Sequence, residues 1–235
     1  MINNVIAIIP ARGGSVGIPR KNLAEIAGRS LLVHSIEHAL EAMEIDRVIV
    51  STDDAEIAEV ARNAGAEVPF IRPVHLAENH VLDLPVFEHA LQFMQQSEHF
   101  EASLVVHLRP TAPYRKPEWI DEAVKLLKSN PDASSVRSVS EPREHPYRVF
   151  RIGDNGFLSA LMKDEHPEPY LLRRQDLPIM YHYNCVIDVT RPGTIWAGSM
   201  TGANILPYVM DPADVIDVDT PRDLEIAKIV MEKLT

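Results

Sequence analysis

The stretch Ile6 to Asn22, I-A-I-I-P-A-R-G-G-S-V-G-I-P-R-K-N, constrains this chain more than any other. Its apolar start reads as a buried strand that ends at Pro10. Glycines follow at 13, 14 and 17, interleaved with Arg12, Arg20 and Lys21. Glycine permits backbone conformations that bring bare N–H groups close to a ligand, and successive N–H groups form a concave nest for phosphate oxygens. Cations crowded into a short loop are costly unless an anion faces them. The loop therefore reads as an anion site, against the alternative that a glycine-rich turn after a strand is only a turn. It is neither of two familiar phosphate loops: no glycine precedes Lys21, as G-x-x-x-x-G-K-[ST] requires, and G-x-G-x-x-G is absent. A helix starting near Ser30 adds its dipole only if it points at the same place.

After the loop, Leu31, Leu32, Ile36, Ala39, Leu40 and Met43 recur at helical spacing, and Arg47 to Ser51 reads as a strand. A helix over Ala55 to Asn63 ends at Gly65, and Glu67 to Phe70 returns to extended chain. Leu84 to Gln95 reads as a helix, Ser103 to Leu108 as a strand, Pro117 to Leu127 as a helix and Ser134 to Val139 as a strand. Such alternation predicts an α/β chain with a mainly parallel sheet covered on both faces. Ser51-Thr52-Asp53-Asp54 falls at a strand end, where open sheets place ligands, although Asp54 also suits the cap of the next helix. From Glu141 to Pro178 the pattern changes, and Asp154-Asn155-Gly156 between extended segments predicts a hairpin insertion over about 141–178 in an otherwise single unit spanning 1–235. Asp217 and Asp219 alternate on a predicted last strand, so both carboxylates leave one face and can share a hard cation such as Mg²⁺. Thr220 then caps a helix with Pro221 in its first turn.

Composition narrows the function classes. At 235 residues the chain can bury a substantial core, and its formal charge of -11 argues against broad binding to nucleic acid. No apolar run approaches the ~20 residues that cross a bilayer, and Ile2 to Pro10 lacks the basic start of a secretory signal. One cysteine, Cys185, excludes an internal disulfide and fits a reducing compartment, so a cytoplasmic location is expected. Ten histidines show no H-E-x-x-H spacing, which argues against zinc.

A-R-G-G-S-x-G-I-P-R-K-N after a first strand resembles the opening signature of the acylneuraminate cytidylyltransferase family, which includes the CMP-sialic acid and CMP-KDO synthetases. The likeness continues in Arg72-Pro73 with Leu76-Ala77, in Leu108 to Arg115, in Arg174-Gln175-Asp176-Leu177-Pro178, in Asn184, and in Ile216-Asp217-Val218-Asp219-Thr220. It implies a Rossmann-like, glycosyltransferase-A-like three-layer nucleotidyltransferase fold. It implies that Ala11, Arg12, Gly13, Gly14, Ser15, Lys21, Asn22 and Arg72 hold CTP. Arg12, Lys21 and Asp219 would carry catalysis, with Mg²⁺ on Asp217 and Asp219. Arg109, Arg148, Arg174, Gln175 and Asn184 would hold an acidic, sialic-acid-like sugar. The insertion would be the arm of a homodimer, lending Arg148 to the partner's site.

Four departures stand out. Val16 replaces a common lysine, Arg109 a frequent glutamine and Cys185 the usual glycine, while Val81-Leu82-Asp83 replaces small residues where the base is read. They leave open a sugar-1-phosphate nucleotidyltransferase using another nucleotide such as GTP. A nucleotide-binding dimer without turnover is the rival from another class.

Overall fold

The structure, a computed structural model, describes residues 4–162 and 166–233; residues 163–165 of the expected insertion lie outside the described residues. Strand β1 (Val5–Pro10) leads through the glycine loop to a small hairpin, β2 (Glu25–Ile26) and β3 (Arg29–Ser30). Helix α1 (Leu31–Glu41), β4 (Arg47–Ser51) and α2 (Ala55–Asn63) follow, then α3 (Asp83–Ser97), β5 (Leu104–His107), α4 (Pro117–Lys128) and β6 (Ser135–Ser140). β7 (Phe150–Ile152) and β8 (Leu158–Ala160) pair only with each other, around a turn whose Gly156 takes φ 78°. β9 (His182–Thr190), α5 (Pro192–Trp196), β10 (Ile205–Val209) and α6 (Pro221–Met231) complete the chain. Among the described residues no helix is long and apolar enough to cross a membrane.

Six strands form the main sheet in the order β10-β6-β9-β5-β1-β4. β1 runs parallel to β4 and β5, β6 runs parallel to β10, and β9 lies antiparallel between β5 and β6. The expected α/β architecture is present, with one reversed strand at the centre. Alternation along β1 divides the core: Val5, Ala7 and Ile9 pack with residues of α1, α2 and α4, whereas Ile6 and Ile8 pack with α3 and Ile195 of α5. A period of two on a sheet buried on both faces produces these three layers.

A third apolar cluster positions the site. Ile18 of the glycine loop, Ile26 of β2 and Leu31 pack against Val218 and against Ala227 and Met231 of α6. The last acidic segment is thereby held against the first loop. That segment is not the strand its alternation predicts. Residues 212–214 form a 3-10 turn, 215–219 join no sheet, and the Val218 N–H donates to the Thr111 carbonyl at 2.8 Å. Val218 is buried while Asp217 and Asp219 on either side stay exposed, so the segment anchors through one side chain. α6 starts as expected, with Thr220 and Asp223 forming a reciprocal capping box ahead of Pro221.

Candidate active site

The parallel strands β1, β4 and β5 end at one edge of the sheet, and the loops after β1 and β5, with the segment between α2 and α3, surround a cleft of about 490 Å³. Ligands of open α/β sheets bind at this edge. Arg12, Gly14 to Gly17, Lys21 and Asn22 line it from the first loop, Arg72, Leu76, Glu78, Asn79, Val81 and Leu82 from the segment before α3, Asp83 and Val86 from the start of α3, and His107 and Arg109 to Thr111 from the end of β5 and the loop after it. Asp219 closes it from the far end of the chain.

Side chains brace the glycine loop from behind. The Gly13 N–H donates to Asp53 Oδ1 at 2.9 Å, and Asn22 Nδ2 donates to the Arg12 carbonyl at 2.9 Å. A Cβ on Gly13 would meet Asp54 Oδ2 at 2.7 Å and Asp54 Cβ at 2.9 Å, so a side chain here would have to displace Asp54. Gly14 and Ser15 line the cleft, and among the described residues their N–H groups donate to no protein atom, which leaves them for an anion. Arg20 does not join them, because it pairs with Asp54 and Glu56 on α2. Arg12 Nη1 donates to the Glu78 carbonyl at 3.0 Å and Lys21 Nζ lies 3.0 Å from Asp219 Oδ1, and both residues line the cleft. Ala11 is wholly buried behind the loop, its N–H bonded to the Ser51 carbonyl at 2.9 Å. Ser30 caps α1, yet neither it nor Leu31 lines the cleft, so that helix dipole is not part of the site.

Arg72 is buried, with Nε donating to Ser51 Oγ at 3.0 Å and a terminal nitrogen donating to the Ser51 carbonyl. Burial lowers its pKa to about 10, with Arg12 adding to the shift and Asp53 and Asp83 opposing it. It is a fixed cation at the cleft wall.

Behind the cleft lies a polar cluster that sequence spacing does not reveal. Arg109 Nη1 donates to Asp188 at 2.8 Å and Nη2 to Asp83 at 3.0 Å. Asp188 is 1% exposed on β9 and also receives the Tyr183 hydroxyl, with Arg137 Nε 3.6 Å away. Burial alone would lower the Arg109 pKa, but Asp188, Tyr183 and Asp83 overcome it and raise the value. His107 reaches no closer than 3.9 Å to either carboxylate, and burial followed by three neighbouring arginines holds it neutral. Arg115 is fully buried; it donates to the carbonyls of Val186 and Arg109, which ties the loop after β5 to β9. One signal in the sequence marks this cluster: Asp188 interrupts the apolar run Val186 to Val189, and a buried acid requires a cationic partner.

The acidic pair suits a hard cation. Asp217 stands at the surface with protein crowded around its carboxyl, and this crowding and then the Asp219 charge push its pKa up, while the Thr111 side chain, Lys21 and Arg109 act the other way. A second cation relieves such like-charge crowding, and Mg²⁺ is commonly held by one or two carboxylates together with substrate phosphates. Among the described residues no cluster of three or more His, Cys, Asp or Glu side chains gathers into a metal site.

The remaining expected substrate residues lie elsewhere. Arg148, Arg174 and Gln175 are exposed on the segment around the β7–β8 hairpin and do not line the cleft. Asn184 is buried in β9, where its Oδ1 accepts from Ser138 and Val186 and its Nδ2 has no partner. Cys185 has φ 62°, a left-handed conformation that glycine adopts without strain, and it sits at an irregularity in the β6–β9 pairing. Burial raises the thiol pKa, so Cys185 is protonated and poorly nucleophilic.

Comparison with known proteins agrees with the geometry. A protein of Campylobacter jejuni described as pseudaminic acid cytidylyltransferase is 32% identical over 96% of this chain and 95% of its own length. CMP-N,N'-diacetyllegionaminic acid synthase of Legionella pneumophila is 32% identical over 97% of this chain and 96% of its own. N-acylneuraminate cytidylyltransferase of Escherichia coli is 30% identical over 99% of this chain and 53% of its own. The solved structure of CMP:2-keto-3-deoxy-manno-octonic acid synthetase complexed with CTP superposes with a TM-score of 0.72 at 19% identity, covering 99% of this chain and all of that one, which establishes the shared fold. The model of the family described as Cytidylyltransferase matches residues 6–190, and the chain belongs to that family.

Proposed function

We propose that this chain transfers a cytidylyl group from CTP to an acidic nonulosonic sugar, releasing pyrophosphate. The observation that carries this reading is the approach of Lys21 to Asp219 beside Gly14 and Ser15, which brings cations, free N–H groups and a carboxylate to one end of one cleft. The relatives' names supply the substrate classes, a cytidine nucleotide and a nine-carbon keto-acid sugar.

In this scheme a sugar hydroxyl oxygen forms the new bond to the α-phosphorus, and the bond to the β-phosphate's bridging oxygen breaks. Pyrophosphate leaves with the bonding pair, and the hydroxyl proton passes to solvent. Such in-line displacement needs mainly positioning and charge neutralisation. Arg12 and Lys21 neutralise the departing pyrophosphate, and the N–H groups of Gly14 and Ser15 orient the phosphates. Asp217 and Asp219 would hold Mg²⁺, which when bound supplies further charge compensation on the phosphates. A cytoplasmic setting follows from the need for a nucleotide pool and suits the single cysteine.

We also infer a homodimer. Ile152, Phe157 and Leu158 of the β7–β8 hairpin are 76%, 73% and 67% exposed, an apolar tip that a lone subunit leaves uncovered. Arg148, Arg174 and Gln175 belong to this arm and would complete the partner's sugar site. Arg174→Ala should then chiefly raise the sugar KM, and Phe157→Asp should shift sedimentation towards the monomer. The central test is pyrophosphate release with each of the four nucleoside triphosphates, with and without a nonulosonic acid. Release requiring CTP and the acid together is expected. Release with GTP and a hexosamine 1-phosphate, or with no combination, would overturn the reading.

A further inference from the structure

The cleft lining is of two chemical kinds. Gly14, Ser15, Lys21 and Asp219 are polar, whereas Leu76, Val81, Leu82 and Val86 bring apolar surface of the kind that a planar ring packs against. Asp83, next to Val81 and Leu82 in the chain, stands beside Arg109 on the same lining, Oδ2 3.0 Å from Nη2. Both are fixed from behind, Arg109 by Asp188 at 2.8 Å and Asp83 by its place as the first residue of α3. The Asp83 side chain is 44% exposed and among the described residues its Oδ1 accepts from no protein group, while Arg109 has more N–H groups than the two bonds use. Beneath the pair, His107 lines the cleft at 2% exposure, and neither ring nitrogen has a partner. Buried polar atoms are nearly always satisfied, so this corner is shaped for a ligand that brings polar atoms of its own.

We propose that Asp83 and Arg109 read the pyrimidine edge of the nucleotide, Asp83 accepting from the 4-amino group of cytosine and Arg109 donating to its ring acceptor. This rests on the CTP reading above and assigns the residues that enforce it. A carboxylate beside a guanidinium presents an acceptor next to a donor, the complement of an aminopyrimidine. Uracil presents the reverse: its 4-oxo group would face the Asp83 carboxylate and its N3–H would face an Arg109 N–H. Carboxylate to cytosine amino pairing is an established mode of base readout. An acidic sugar is a poorer occupant, because Arg109 is already engaged by two carboxylates and has little net positive charge left to offer.

The test compares CTP with UTP by calorimetric binding to the free protein and by turnover with the sugar, for the wild type and Asp83→Asn. The wild type should favour CTP in both assays. Asp83→Asn should reduce the CTP/UTP ratio of kcat/KM about tenfold or more, with the sugar KM held within about twofold. A ratio unchanged in the variant, or a rise confined to the sugar KM, overturns the assignment. Should no turnover be found while wild-type binding still favours CTP and the variant loses that preference, base readout stands and the reaction assignment falls. Equal binding of CTP and UTP by the wild type sinks base readout whatever the reaction. If Asp83→Asn does not fold, the same question is put to the wild type with a CTP analogue lacking the 4-amino group: at least about tenfold weaker binding supports the proposal, and binding equal to CTP contradicts it.

Discussion

Lys21 Nζ and Asp219 Oδ1 stand 3.0 Å apart although 198 residues separate them in the chain. Ile18 and Val218, each buried a few residues or fewer away, fasten the two segments together, so the contact is built into the core. Both residues line the cleft. Asp219→Ala should lower kcat by about a hundredfold at saturating Mg²⁺, and Lys21→Ala by a comparable factor, the scale seen when one charge-stabilising group is removed. Turnover near the wild-type rate in either variant would contradict the assignment.

Gly17 makes that contact possible by lacking a side chain. A Cβ there would stand 2.7 Å from the Asp219 carbonyl oxygen, a clash with backbone that no rotamer relieves. Gly17→Ala should therefore destabilise the fold by about 1–3 kcal/mol. Gly14→Ala, whose Cβ would meet nothing within 4 Å, should unfold at nearly the wild-type urea midpoint. Equal midpoints for the two variants would contradict this account of the loop.

Asp54 gives the glycine loop a pH-dependent brace. Its bond from Arg20 is the first cause holding its carboxyl below the ordinary range, and the Ile57 N–H at 3.0 Å adds to it. A depressed carboxyl contributes stability that is complete above the unfolded pKa of about 3.9 and is lost as pH falls through the folded value. Asp54→Asn retains a helix cap but loses the ion pair, so it should cost up to about 1 kcal/mol at pH 7. That deficit should shrink as the pH falls below about 4 in a urea denaturation series. A deficit independent of pH would contradict it.

Asp188 is buried against Arg109, Arg137 and Tyr183. Removing it in Asp188→Ala takes the facing carboxylate from Arg137 and leaves Arg109 with Asp83 alone, and stability should fall by about 3 kcal/mol. A loss below about 1 kcal/mol would show that the cluster does not depend on this carboxylate.

Much of this was legible in the residues. Helix Ala55–Asn63 begins and ends where capping chemistry places it, Asn155-Gly156 marks the hairpin turn, and the glycine loop and Asp219, both singled out by local spacing, line one cleft. What escaped was long-range. β9 slots antiparallel between β5 and β6, and β10 joins the edge beside β6, yet no local pattern encodes a partner so far away in the chain. The same limit hid the cluster of His107, Arg109, Tyr183 and Asp188, whose members come from two strands and a loop that meet only in the fold. Asp219 reaches the cleft without the strand expected for its segment, because buried Val218 holds that segment against the first loop. Cys185 at φ 62° shows the converse, a position whose backbone suits glycine although the side chain gives no local sign of it.

The claim on which the rest depends is that one nucleotide polyphosphate lies between the opening loop and the final aspartates. A crystal structure with CTP and Mn²⁺, the metal located by anomalous scattering, measures this most directly. The expected result places the phosphates on Gly14, Ser15 and Lys21 and the metal in contact with the Asp219 carboxylate and a phosphate oxygen. Phosphates seated elsewhere on the chain, or a metal bound away from Asp217 and Asp219, would contradict it.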